Sequence, residues 1–96
     1  MITKKIDDLS KVLNREYSHL LNERKKFEVS LDPDNNKLGV IRKHEKIAGD
    51  RHLVADIDLN SNTILVYHKH YFDILKDFGE KHIGVDNLQK CWEDID

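Results

Sequence analysis

The 96-residue sequence has one cysteine, one proline, one methionine, one tryptophan and only four glycines. A single cysteine cannot build an internal disulfide framework, so the chain must hold its shape by packing, and a reducing compartment is expected. With one proline, in "DPDNN", and few glycines there is little material for a flexible linker or a low-complexity segment. No apolar run approaches the ~20 residues that span a bilayer, and the opening "MITKKIDDLSK" carries charges where a signal peptide has its apolar stretch. These absences lead us to expect a cytoplasmic protein with no membrane partner.

Catalytic signatures are also missing. There is no glycine-rich phosphate loop, no His-Glu-x-x-His pair, and no serine or cysteine in an elbow-like setting. Asp56, Asp58 and His52 share one strand face, which strand alternation produces by default. The reading is therefore non-enzymatic, with no catalytic residue and no cofactor.

What is present is regular. Hydrophobic residues make up 39% of the chain and charged ones 35%, a polar composition whose apolar members nevertheless recur at fixed spacings. One folded domain over residues 1–96 is expected. Ile2, Ile6, Leu9, Leu13, Tyr17 and Leu20 follow helical spacing, predicting a helix over Thr3–Lys25. "KFEVSLD" alternates strictly and "KLGVIRK" follows the Asp/Asn turn, so Phe27–Lys43 is predicted as an antiparallel hairpin. "HLVADIDL" predicts a third strand with Leu53, Ala55, Ile57 and Leu59 on one face, and "TILVYHK" a fourth.

Tyr71, Ile74, Leu75 and Phe78 then form a helical stripe with Gly79 as its expected C-cap. "DNLQKCWEDI" spaces Leu88, Cys91, Trp92 and Ile95 on one face behind a capping-box-like Asp86 and Gln89, predicting a final short helix with Cys91 in the core. The expected architecture is α+β: a long N-terminal helix, a four-stranded antiparallel sheet, and two C-terminal helices packed on one face.

Net charge is −2, unevenly placed: residues 1–52 carry 12 Lys or Arg against 9 Asp or Glu, and residues 71–96 carry 3 against 7. Such polarity can orient a partner without amounting to the basic stripe of a strong nucleic-acid binder. Three stretches draw attention. "VYHKHYF", Val66–Phe72, holds His68 and His70 as a His-x-His pair, but nearby spacing fixes no third ligand, so no metal is assigned. We read it as a strand end whose Tyr71 and Phe72 enter the core. The segment Arg42–His52 reads as a basic inter-strand loop with Ile47 in its middle, and the chain's end places Trp92 beside Glu93.

Two function classes follow. In the first, the chain is a small protein-interaction protein that occupies a surface of its partner. It would be an inhibitor, an immunity-type protein or an assembly accessory, of phage or mobile-element origin, with Ile47, Tyr71, Trp92 and Glu93 as contacts. In the second it is a nucleic-acid-binding module using Arg42, Lys43, His44, Lys46, Arg51, Lys69 and His70. Self-association as a homodimer is left open.

Overall fold

The structure, a computed structural model, describes residues 2–21 and 24–92, with side chains from Asp8 onward. Helix α1 (Ile2–Tyr17) gives way to a 3₁₀ turn (Ser18–Leu20). Strands β1 (Lys25–Asp32), β2 (Lys37–His44), β3 (Arg51–Asp58) and β4 (Thr63–Val66) follow, then a second 3₁₀ turn (Lys69–Tyr71), helix α2 (Phe72–Phe78), a π turn (Gly79–Ile83) and strand β5 (Asn87–Lys90). The sheet order is β1-β2-β3-β4-β5, with β1 to β4 antiparallel and β5 parallel to β4.

The α+β class holds, but the four-stranded antiparallel sheet with two C-terminal helices does not. The predicted last helix is instead β5, which makes the sheet five-stranded and mixed. The physical reason is β4. Three of its four residues are buried, so the backbone groups on its far side need partners that water cannot supply. β5 provides them along Thr63–Val66, and the Cys91 N–H extends the pairing to the Val66 carbonyl at 2.7 Å. Antiparallel neighbours can join by a tight turn, whereas a parallel pair needs a crossover, which α2 supplies. Cys91, expected in the core, is exposed.

Both helices cover one sheet face. Phe27, Val29, Leu38, Val40, Ile57, Ile64 and Val66 point into a single core with Leu13 and Tyr17 of α1 and Ile74, Leu75 and Phe78 of α2. Polar contacts tie the helices together: the Tyr17 hydroxyl donates to Asp77, and Glu16 lies 3.0 Å from Nε2 of His82. Helix α1 ends at Tyr17, well before the expected Lys25, where Ser18 turns its hydroxyl back onto the Asn14 carbonyl. Arg24, at φ 69°, then swings the chain into β1.

Gly79 is not the C-cap. Its φ is −61° and the chain continues helically to Gly84, whose φ of 68° makes the left-handed stop. Gly79 is instead a point of close approach, since a Cβ there would lie 2.5 Å from the Val85 carbonyl oxygen and 2.7 Å from Cδ1 of Ile64.

Both β1–β2 and β3–β4 turns use the same device. Asp32 accepts the Asp34 N–H, Asp58 accepts the N–H groups of Asn60 and Ser61, and Asn36 and Asn62 each take φ 53°. No helix among the described residues is long and apolar enough to cross a membrane.

Candidate functional site: an open sheet face and a helix-side cleft

The sheet face away from the helices is built by the residues that alternate with the core. On it, Glu28 of β1 receives Lys43 of β2 at 3.1 Å and Arg51 of β3, so one carboxylate links three strands. Burial works against ionisation of Glu28, but the hydrogen bonds and charges of Lys43 and Arg51 outweigh it and hold its carboxyl below the ordinary value. Toward β4, the Tyr67 hydroxyl donates to Asp56 at 2.7 Å. That hydrogen bond, with some burial, pushes the phenol up to about 12, so it stays a neutral donor near neutral pH.

Between these polar groups lies Leu53, 45% exposed. Its position follows from a β-bulge. Pairing passes from Val40↔Ala55 directly to Ile41↔Leu53, leaving Val54 as an extra residue on β3. Val54 and Ala55 are therefore both buried, and the side-chain alternation inverts ahead of them. Leu53, expected on the core face, is on the open face, over Gly39, where a Cβ would come within 3.3 Å of its Cδ1. Leu59, expected on the same strand face, lies in the following turn. Half-buried Ile41 opposes Leu53, and Leu65 opposes Asp56.

The basic segment is shorter and less free than a loop over Arg42–His52. Arg42, Lys43 and His44 belong to β2, and Arg51 and His52 to β3. Arg42 is on the core side, 9% exposed, with its guanidinium 3.1 Å from Asp50. Lys43 and Arg51 are spent on Glu28, and Lys26 meets Glu45 at 3.4 Å. His44 turns Nδ1 onto the N–H groups of Lys46 and Ile47, shaping the turn and leaving Ile47 55% exposed. Lys46 is exposed at the same turn.

At the opening of α2, Lys69 and His70 are exposed and Tyr71 is half-buried, its ring edge-on to Phe27 at 6.0 Å. Burial raises the Tyr71 phenol. A cleft of about 300 Å³ lies here, walled by Leu20, Leu21, Lys25, His70, Tyr71 and Ile74. Trp92, half-buried, packs edge-on to Phe72 at 5.8 Å with the Lys90 ammonium over both rings. Glu93 lies outside the described residues.

The candidate contacts thus fall at separate places: Ile47 on the β2–β3 turn, Tyr71 at the cleft, Trp92 beyond β5. No cluster of three or more His, Cys, Asp or Glu suited to a metal forms among the described residues. From sequence, Leu20 and Leu53 read as members of apolar stripes, Tyr67 as an aromatic among the basic residues of Val66–Phe72, and Lys25 as the end of the first helix, none of them as a partner contact. For Leu53 there was a signal, because "LVA" breaks the strict alternation of β3. No family model matches the chain, and no curated protein or solved structure is significantly similar to it.

Proposed function

We propose that the chain is a small interaction domain that works by occupying a surface of a partner protein, as an inhibitor, an immunity-type protein or an assembly accessory does. The observation that carries this reading is a sheet face that no described element covers, with Leu53 set out on it by the bulge. Leu53 with half-buried Ile41 opposite it, flanked by Glu28, Lys43 and Arg51 on one side and by Asp56 on the other, supports a small apolar contact point set among polar groups. Ile47, on the turn at one end of that sheet, extends the surface. A cytoplasmic setting suits the one exposed thiol, Cys91.

Nucleic-acid binding is the second reading, and it rests on Lys46, Lys69 and His70. Internal pairing favours the first: Arg42, Lys43 and Arg51 already face carboxylates, which reduces the charge offered to phosphates. The test is capture of partners by the tagged protein from lysate of its source organism, with and without nuclease, beside the Leu53→Arg variant. A stoichiometric protein that survives nuclease and is lost with Leu53→Arg supports the sheet face. Nucleic acid whose digestion removes every co-purifying band overturns the protein reading.

A further inference from the structure

His82, which lines neither the open sheet face nor the cleft, joins the two helices. It stands near the end of the π turn with its side chain 24% exposed and its ring against Phe78, centroids 5.7 Å apart. Its Nε2 is buried 3.0 Å from a carboxylate oxygen of Glu16 on α1, yet no aligned hydrogen bond reaches that nitrogen among the described residues. An N–H that points away from its acceptor holds it weakly, whereas a charged imidazole attracts a carboxylate without regard to direction. The contact therefore depends on the proton that makes the ring a cation.

The charged groups around this contact come from three elements. On α1, Arg15 lies 3.9 Å from Glu16, and the Tyr17 hydroxyl donates to Asp77 of α2. On the π turn, Lys81 reaches Asp77 at 3.1 Å and Glu80 is exposed. Burial, then the hydrogen bond to Asp77, holds the Tyr17 phenol well above its ordinary value, and the hydrogen bonds from Tyr17 and Lys81 hold the Asp77 carboxyl below its own. Both shifts lead away from neutrality, and of these side-chain types imidazole alone ordinarily changes its charge between about pH 5 and 8.

The contact secures the last turn of α1, which carries Asn14. The Asn14 side chain hydrogen-bonds both backbone groups of Phe27, and Ser10 on the same helix accepts the Val29 N–H. These two residues cover the outer edge of β1, which would otherwise be a template for another strand. We infer that His82 is a proton-operated clasp that sets how firmly α1 covers this edge. With the imidazole protonated, its ion pair with Glu16 ties the π turn to α1 and the edge is held shut. When the proton leaves, the pair is lost, and Asn14 and Ser10 release the edge more often. The stabilisation is fully present on the acid side of the imidazole titration and is lost as the pH rises through it. The clasp is independent of the sheet-face reading, since Leu53 lies on the other side of the sheet.

The test is amide exchange of the full chain at about pH 5.5 and about pH 8, corrected for the intrinsic rate and read at Phe27 and Val29, beside an NMR titration of the His82 ring. The protection of both amides is expected to be roughly threefold to fivefold greater at the lower pH, and to fall with the same midpoint as the ring titrates. His82→Gln and, separately, Glu16→Gln should each remove this pH response. The two substitutions lie on different elements, so the test stands if one of them disturbs folding. The five other histidines are present in both variants, so any response of theirs is seen there and subtracted. A pH response that survives in either folded variant overturns the clasp. So does a His82 ring that titrates in the parent with no matching change at Phe27 and Val29.

Discussion

Along the outer edge of β1, side chains of α1 stand in for a missing strand. Asn14 accepts the Phe27 N–H at 2.7 Å and donates to the Phe27 carbonyl at 2.9 Å, and Ser10 accepts the Val29 N–H at 3.0 Å. Along β5, the opposite edge, the one side-chain contact to strand backbone among the described residues is the weak approach of the Cys91 thiol to the Gln89 carbonyl, at 3.8 Å. Length explains the difference. β1 has eight residues and would present a long template for another chain, whereas β5 has four, and a very short edge is itself a protection. The sheet thus closes a long edge with helix side chains and a short edge by brevity.

If β5 is held by its lead-in more than by side chains, crowding that lead-in should have the largest effect. Gly79→Ala places a methyl 2.5 Å from the Val85 carbonyl oxygen and 2.7 Å from Ile64, on the path from α2 into β5. Gly79 sits at helical φ, so on backbone entropy alone alanine would stabilise by ~0.4–1 kcal/mol. We expect the opposite sign, a loss of about 2–3 kcal/mol in urea unfolding, with faster amide exchange concentrated in Asn87–Lys90. A stabilised variant would show that β5 docks without this close approach.

Unplugging β1 should come next. Asn14→Ala removes an acceptor and a donor together and leaves both backbone groups of Phe27 without them, at an expected cost of about 2 kcal/mol. The bared edge should also associate, read as a concentration-dependent rise in sedimentation coefficient absent from the parent. Ser10→Ala, which removes one acceptor, should cost about 1 kcal/mol without measurable association. Association of the parent protein at the same concentrations would instead make β5, and not β1, the edge that pairs.

These devices differ in how visible they are in the sequence. The hairpin of β1 and β2 is readable because Phe27 and Val29 alternate with Glu28 and Ser30, and one face of each strand is buried. Asn14 and Ser10 look like ordinary polar residues on the helix's outer face, since nothing local says that β1 lies alongside. The last segment misleads for a related reason: Leu88, Cys91 and Trp92 fit helical spacing, yet the need of β4 for a second neighbour is a long-range demand that local spacing does not record. Leu53 shows the same limit at one residue, where a single bulge inverts the faces of β3. The cleft brings the turn after α1 against the start of α2, so Lys25 and His70 border one space only once the chain is folded.

The smallest expected effect concerns how β1 is tied inward, to β2 and β3. Glu28 holds Lys43 and Arg51 on the open face, where ion pairs that are partly in water contribute roughly 0.5–1 kcal/mol. The folded pKa of Glu28 lies below its unfolded value, so its stabilisation is fully present above the unfolded glutamate value of about 4.3 and is lost as pH falls through the folded value. Glu28→Gln should therefore be less stable than the parent at pH 7, and the gap should narrow as the pH is lowered below about 4. Paired urea titrations at pH 7 and pH 3 measure this directly. A gap that stays constant would mean that Glu28 contributes through packing or neutral hydrogen bonding. The inner side of β1 would then be secured, like its outer edge, without help from charge.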